Sequence, residues 1–380
     1  MKIAHLTSAH PRFDTRIFVK MCCTLADAGH DVTLVVADGL GATLARTQQN
    51  QPISIVDVGT PTKGNRLRRM TQTVNRIYDA ALTLGVTVVH LHDPELLRIA
   101  VALKNRGLKV VYDVHEDLPR QLLSKPWLPA AIRPALAYGL ERVENHLAKK
   151  MNAIVTATPF IKQRFERLNA LTIDVCNFPI ITELLDTSTL WQDRENAICY
   201  IGGITRIRGI EPLIDALPLL SNRPKLYLAG PWDQDDNGQL QTTLSQRQGW
   251  PQVENLGQLN RSDVAKTLAR CKIGLVTLFP TPNYVDALPV KLFEYMAAGI
   301  PVIASDFPLW RQIVEDAQCG LLVDPQDATA IAHAINHLLT HDDEARQMGL
   351  NGQQAVLNRY HWDFEAQKLL ALYRQLDSTD

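Results

Sequence analysis

Residues 286–305 read Asp286-Ala-Leu-Pro-Val-Lys-Leu-Phe-Glu294-Tyr-Met-Ala-Ala-Gly299-Ile-Pro-Val-Ile-Ala-Ser305. A strand ending near Leu278 and a loop with Pro280 and Pro282 precede them. A helix is expected from about Leu288, with Pro289 in its first turn, where a missing N–H costs nothing. Gly299-Ile-Pro301 closes that helix and opens the next strand. Strand, helix and strand in this order build a parallel sheet. Backbone groups around Leu288, Pro289 and Val290 then form a helix start whose free N–H groups and positive dipole end suit an anion such as a diphosphate. Lys291 adds a positive charge. Glu294 can offer a carboxylate to paired hydroxyls such as a ribose diol, and Asp286 can reach a second polyol.

The same alternation runs outward in both directions. Upstream, strands are expected at Ile3–Leu6, Val32–Val36, Ile53–Val58, Val86–His92, Lys109–Val114 and Ala153–Ala157. Helices are expected at Arg16–Ala28, about Arg66 to Leu84, Glu95–Asn105 and Ile132–Lys149. Asn177-Phe178-Pro179 ends this region, and a polar, weakly periodic stretch reads as a linker through Asn196. Alternation restarts with strands at Ala197–Ile201, Lys225–Ala229, Val253–Leu256, Ile273–Leu278, Pro301–Ala304 and Gly320–Val323. Helices are expected at Glu211–Leu219, Arg261–Ala269, Val290–Ala298, Ala328–Leu339, Asp343–Leu357 and Asp363–Gln375. Such repetition predicts doubly wound parallel sheets.

The chain has 380 residues, which at roughly 100–200 residues per domain suits two domains. The hydrophobic fraction is 46% and the charged fraction 21%, as in ordinary globular proteins and not in disordered chains. Lys plus Arg number 39 against 40 Asp plus Glu, so a strongly basic nucleic-acid binder is excluded as a global reading. Residues 1–177 carry 23 basic and 15 acidic side chains, and the remainder 16 and 25; the asymmetry suits two domains with different partners. Six cysteines without a Cys-x-x-Cys pair argue for thiols of a reducing cytosol, not a disulfide framework or zinc site. No signal-peptide run and no membrane span are read.

On these residues the chain resembles the family 4 glycosyltransferases of GT-B fold, retaining enzymes that use nucleotide-sugar donors. The family signature places two acids with seven residues between them before the Glu-Tyr/Ala-Met-Ala-x-Gly tail, as Asp286 and Glu294 stand here. The resemblance implies that the first acid contacts the donor sugar and the second binds ribose; the first is normally Glu and here is one methylene shorter. Cys199-Tyr-Ile-Gly202-Gly203-Ile-Thr-Arg206-Ile-Arg208-Gly209 resembles the donor-phosphate loop. Gly203 stands where many members have Arg, and Arg208 where they have Lys. Arg208 therefore takes the phosphate role, Arg206 supplies a second charge, and a positioned guanidinium stabilises the leaving diphosphate. Gly230, after Lys225–Ala229, and Gln258 and Leu259 resemble strand ends that flank the nucleotide. Asp233-x-Asp235 reads as solvated surface, and no metal or other cofactor is expected.

His90-Leu-His92-Asp93-Pro94 resembles the family's His-x-His-(Asp/Glu)-Pro. This implies that His92 faces the reacting centre and makes it a catalytic candidate beside Asp286 and Glu294. The same stretch also reads as a helix start, with Asp93 as cap and Pro94 first. His115 and Glu116 end another strand and are candidates for the acceptor side. The first loop holds Arg12, Asp14 and Arg16 and lacks Gly-x-Gly-x-x-Gly, which weighs against a dinucleotide oxidoreductase. These three are acceptor-binding candidates, the arginines for a phosphate. Arg66, Arg68 and Arg69, among Leu67, Met70 and Val74, suit an anionic membrane surface.

The expectation is thus an α/β protein of GT-B fold: two Rossmann-like doubly wound parallel-sheet domains facing a central cleft. Residues 1–178 form the acceptor domain, 197–360 the donor domain, and 361–380 a helix crossing back to the first. The expected activity is retaining, metal-independent transfer of a hexosyl or N-acetylhexosaminyl group from a nucleotide sugar to a glycan or polyprenyl-diphosphate-linked acceptor. Bacterial surface-polysaccharide synthesis, in the cytoplasm and peripherally on the inner face of the membrane, is the setting. A nucleotide-sugar epimerase and a non-catalytic nucleotide-sugar-binding protein are the alternatives.

Overall fold

The computed structural model describes residues 1–60, 69–123, 128–184, 189–233 and 238–378. They form two compact units, Met1–Asn177 with Asp363–Asp380, and Phe178–Trp362. The expected linker is part of the second unit. Its Arg194 guanidinium is buried and donates to the carbonyls of Leu268, Cys271 and Ala298. It thereby adds a donor to carbonyls at helix ends, where intrahelical donors run out.

Unit 1 holds strands β1 (Lys2–Leu6), β2 (Asp31–Val36), β3 (Thr43–Arg46), β4 (Pro52–Asp57), β5 (Val88–Leu91), β6 (Lys109–Val114), β7 (Ala153–Thr156) and β8 (Thr172–Asp174). Their order is β3-β4-β2-β1-β5-β6-β7-β8. All neighbours are parallel except β3, which runs antiparallel to β4 and was not expected: Thr-Leu-Ala-Arg shows no alternation of its own. Helix α1 begins as a wide turn, Thr15–Cys22, and tightens over Cys23–Asp27. Val19 N–H reaches Asp14 O, five residues back. Then follow α2 (Val74–Thr83), α3 (Leu97–Asn105), α4 (Leu118–Leu123), α5 (Arg133–Ala148) and α6 (Pro159–Phe165). β1 lies between β2 and β5, so strand order reverses there. Such a reversal opens a crevice at the carboxyl ends of the strands.

Unit 2 holds α7 (Ile181–Leu184), β9 (Ala197–Ile201), α8 (Ile210–Ala216), β10 (Lys225–Ala229), α9 (Gln239–Ser245), β11 (Val253–Gly257), α10 (Arg261–Arg270) and β12 (Ile273–Val276). It continues with α11 (Val290–Ala297), β13 (Val302–Ser305), α12 (Pro308–Ala317), β14 (Gly320–Val323), α13 (Ala328–Thr340) and α14 (Asp342–Arg359). The sheet is parallel, in the order β11-β10-β9-β12-β13-β14. Its core includes Ile198, Leu213, Leu226, Leu228, Leu275, Ile303 and Ile335, all fully buried. Strand β8 and helices α4, α6, α7, α9 and α12 were not expected; four of these helices have 4 to 7 residues, too short for a clear period.

The last helix, α15 (Trp362–Asp377), packs within unit 1. Glu365 accepts the Cys176 N–H at 2.7 Å, Lys368 joins Asp174 to Glu365, and the Tyr373 hydroxyl meets His90 Nδ1 at 2.9 Å. All six cysteines are free thiols. Among the described residues no helix is long and apolar enough to cross a membrane. Arg66, Arg68 and Asp235 lie outside the described residues, as does the side chain of Arg69.

Candidate functional site

In unit 2 the site is built on the strand ends around β9. Gly202 (φ 135°) follows β9 and its N–H donates to Ala229 O at 2.8 Å. Gly230 (φ 141°) crosses so closely that an added Cβ would stand 2.1 Å from Gly202 O. Gly209 (φ 72°) is equally constrained, since a Cβ there would stand 1.7 Å from Thr277 O. No other residue fits these crossings. They turn the Arg206–Arg208 segment so that Arg208 folds back over the loop. A Cβ at Gly203 would lie 3.2 Å from Arg208 Nη1, and one at Gly202 would lie 3.5 Å from Lys291 Nζ. Two cations therefore converge on bare backbone.

Lys291 stands in the first turn of α11 and is 7% exposed. Its Nζ sits 3.5 Å from the centre of the Tyr200 ring and has no hydrogen-bond partner. Burial, reinforced by Arg208, pulls its pKa well below the usual lysine value. A buried cation without an acceptor is costly. The side-chain oxygens of Thr205, Thr277, Thr281 and Asn283, in the same strand-end loops, are also buried without partners. Pro289 is the cap of α11, extended at φ −69° and ψ 122° and without a capping side chain; the expectation that it sits inside the first turn is corrected. The helix start thus lacks the side-chain acceptor that a Ser or Asp cap would give.

Glu294 lies further along α11, nearly buried. Its Oε1 takes a 2.5 Å bond from Arg261 Nη1. Arg261 Nε also donates to Glu183 Oε2 at 2.9 Å. The second carboxylate oxygen of Glu294 is left for another donor. Asp286 is half-buried on the loop before α11. Leu288, Val290 and Leu259 are half-buried and Gln258 is exposed. Arg206 does not join the cations: it is exposed and turned onto Glu211, 2.5 Å away in the first turn of α8. The expectation that Arg206 supplies a second charge there is corrected; the cation beside Arg208 is Lys291.

In unit 1 the charged groups after β1, β5 and β6 hold one another. Arg12 grips Asp38 with Nε and Nη2, both at 2.7 Å, and reaches Gly41 O. Arg16 holds Asp113 with Nε (3.0 Å) and Nη2 (2.7 Å) and donates to Val175 O. Asp14 caps α1 by accepting the N–H groups of Arg16 and Ile17. Burial would raise the Asp14 pKa, but His10 and the Ile17 N–H lower it to about 2. The expectation that Arg12, Asp14 and Arg16 meet an acceptor is corrected, because Arg12 is paired with Asp38, Arg16 with Asp113, and Asp14 with the start of its own helix. Asp93 accepts from the Thr7 hydroxyl (2.8 Å) and Ser8 N–H (2.6 Å), fastening β5 to β1 and not capping its own helix.

His92 is corrected as well. It is 2% exposed, with Nε2 bonded to His5 Nδ1 (2.8 Å) and Nδ1 to Asp113 Oδ2 (3.1 Å). Burial lowers its pKa to about 4, against the pull of Asp113. It does not face outward from the strand ends. His115 is the more accessible imidazole. Its Nε2 bonds Asp113 Oδ2 at 2.8 Å and lies 3.2 Å from His92 Nδ1. Glu116 beside it is exposed. Two residues escaped the sequence reading. Asp113 ties Arg16, His92 and His115 together; burial would raise its pKa, but Arg16 and His115 hold it far below the usual range. His10 packs on His115 with ring centres 5.1 Å apart, and Asp14 and Asp93 raise its pKa despite burial. A lone acid in the apolar run Lys-Val-Val-Tyr-Asp-Val was the available signal for Asp113.

Three buried or half-buried groups bring metal-ligand atoms within 4.8 Å: His5, His90 and His92; His92, Asp113 and His115; and Asp174, Cys176 and Glu365. The first is a stack, with interplanar angles of 15–30°, so its in-plane lone pairs do not converge. Arg16 already binds Asp113, and Lys368 already binds Asp174 and Glu365. None fits a divalent ion.

Residues 182–355 match the family described as glycosyl transferases group 1, and residues 15–175 match glycosyltransferase family 4. The chain belongs to these glycosyltransferases and has the GT-B fold. Alpha-maltose-1-phosphate synthase of Mycolicibacterium smegmatis is 28% identical over 48% of this chain and 48% of that protein. Among solved structures, sucrose-phosphate synthase from Thermosynechococcus elongatus superposes with a TM-score of 0.80 at 20% identity, covering 100% of both chains. The Anabaena protein HepE, solved in complex with UDP-glucose, gives a TM-score of 0.73 at 17% identity, covering 99% of this chain and 100% of that one. The chain spans about half the length of the first curated relatives it matches.

Proposed function

We propose that the protein transfers a sugar from a nucleotide-sugar donor to a hydroxyl of a glycan or lipid-linked acceptor, with retention and without a metal. The observation that carries this reading is Lys291, a buried cation with no hydrogen-bond acceptor at the start of α11 and beside Arg208. A diphosphate would supply its missing acceptor and meet the first N–H groups of the helix. The two cations stabilise the charge that builds on the leaving diphosphate, a task that in other enzymes falls to a metal. Glu294, oriented by Arg261, takes the ribose hydroxyls through its free oxygen, and Asp286 takes hydroxyls of the sugar. Gln258 and Leu259 flank the base. In unit 1, His115 and Glu116 take the acceptor side. Retention follows from the family resemblance. The likeness to HepE, whose structure holds UDP-glucose, supports a nucleotide-sugar donor.

The acceptor belongs, on this reading, to assembly of a bacterial surface polysaccharide or glycolipid, at the inner face of the membrane, with Arg66, Arg68 and Arg69 toward anionic lipid. The test is thermal stabilisation by UDP-, GDP-, ADP- and TDP-sugars, followed by release of nucleoside diphosphate with candidate acceptors. One preferred nucleotide should raise the midpoint by mass action, and release should require acceptor. Conversion of the nucleotide sugar to its epimer without acceptor, and without net release of nucleoside diphosphate, would instead favour the epimerase, and binding without turnover the non-catalytic alternative.

A further inference from the structure

β9 is fully buried at Ala197, Ile198, Cys199 and Tyr200. A leucine or phenylalanine would suit this apolar strand as well as Tyr200 does, so the hydroxyl is the informative group. A buried hydroxyl needs partners. This one donates to Gly203 O at 3.0 Å and is bonded by Arg208. Burial pushes its pKa up to about 13, against the pull of Arg208, so it stays neutral and keeps its proton. The ring face meets the second cation, with Lys291 Nζ 3.5 Å from the ring centre. One side chain therefore touches the carbonyl of the bare glycine loop and both cations beside it. The charged and titratable groups facing Lys291 are Arg208 from the loop after β9, Cys199 on β9 and Glu294 on its own helix. Of these Glu294 is the anion, and Arg261 engages it. The ring of Tyr200 adds a contact that favours an ammonium group.

We propose that Tyr200 is a positioning residue of the donor site: its ring face holds the Lys291 ammonium in place, and its hydroxyl holds Arg208 and draws the Gly203 carbonyl inward. A carbonyl turned outward in this loop would repel a phosphate, and two like charges side by side repel one another. A neutral hydroxyl and a π face between them hold both heads without neutralising either, so the charge stays available to an anion. The proposal rests on the donor reading above and adds to it a residue that acts through its neighbours and not on the substrate.

The test is calorimetric titration of UDP, GDP and inorganic pyrophosphate across pH into the native chain, Tyr200→Phe and Tyr200→Leu. Tyr200→Phe keeps the ring, so affinity should fall about threefold to tenfold while the pH at which it declines stays native. Tyr200→Leu loses the ring as well. Removing a contact that favours the ammonium lowers the pH at which unliganded Lys291 gives up its proton. Affinity should then fall further, and its decline should begin about half a pH unit lower. A merely structural role would move thermal midpoints and leave that profile in place. The proposal is overturned if both variants bind within about twofold of the native chain, or if Tyr200→Leu keeps the native pH profile. Should Tyr200→Leu not fold, Tyr200→Phe decides alone, and native affinity in it overturns the proposal. A native chain that binds none of the three ligands overturns the donor reading and this proposal together; native binding with indifferent variants overturns the role of Tyr200 alone.

Discussion

Arg16 in unit 1 and Lys291 in unit 2 are both buried cations at the carboxyl ends of a parallel sheet. Arg16 meets Asp113 through two bonds and a carbonyl through a third, and Asp113 in turn holds two imidazoles. Lys291 meets an aromatic ring and no acceptor. In unit 1 the buried cation is closed on its carboxylate, with His115 at the accessible edge, although Nε2 of His5 and Nε2 of His90 are buried without partners. That of unit 2 is open and has a charge to offer. The difference favours unit 2 for the proposed anion site, although unit 1 is the more basic by composition.

The largest effect should come from breaking the closed cluster. Arg16→Ala leaves Asp113 buried without its main counter-ion and should cost about 3–5 kcal/mol of unit 1 stability by urea denaturation. Lys291→Met removes a charge that has no partner, and should leave stability unchanged or raise it by about 1 kcal/mol. If the two substitutions were equally destabilising, the contrast between the units would fail.

Acid should separate the units next. His92 titrates near 4 in the folded chain, against about 6.5 unfolded. Below 6.5 the unfolded chain takes up a proton that the folded chain refuses, so stability falls as pH drops from about 6.5 to 4. His92 alone contributes about 3 kcal/mol of this loss. His5 and His90, both held low by burial, add in the same direction. Asp14, at about 2 when folded, extends the loss below pH 4. Denaturation followed across this range should show unit 1 weakening first; a flat profile between pH 6.5 and 4 would contradict the buried neutral histidines.

A smaller effect sharpens the picture within unit 2. Arg261→Ala releases Glu294 from its 2.5 Å bond but leaves Arg208 and Lys291 in place. Affinity for a nucleoside diphosphate should fall about fivefold to tenfold, equivalent to about 1 kcal/mol, while affinity for inorganic pyrophosphate stays the same. Calorimetric titration of both ligands checks this, and an equal loss for both would remove Glu294 from the ribose.

Alternation of short β-branched runs with amphipathic segments was enough to place β6, β9, β10 and β14 to the residue, because parallel strands are apolar throughout. Lys291 and Glu294 were legible because they repeat down one helix from a recognisable start. The cluster in unit 1 was not. Arg12 and Arg16 look like free cations until Asp38 and Asp113, distant in sequence, are brought against them. His92 looks like a site residue until His5 arrives from the neighbouring strand. Arg206 and Arg208 differ by two positions, yet Glu211 draws one away while the Gly209 turn folds the other inward. Which charges remain free is a property of tertiary pairing, and local spacing carries little of it.

The most direct test is calorimetric titration of UDP and GDP into the native chain and Lys291→Met, in two buffers of different ionisation enthalpy. Lys291 is held below its usual pKa when it has no partner, and a bound diphosphate favours its charged form. Affinity should therefore fall as pH rises through the range in which the unliganded side chain loses its proton, with proton uptake on binding confined to that range. Lys291→Met should bind about 100-fold more weakly, equivalent to about 2.7 kcal/mol, and without that pH dependence. Equal affinity of the two chains would contradict the assignment of the diphosphate to Lys291.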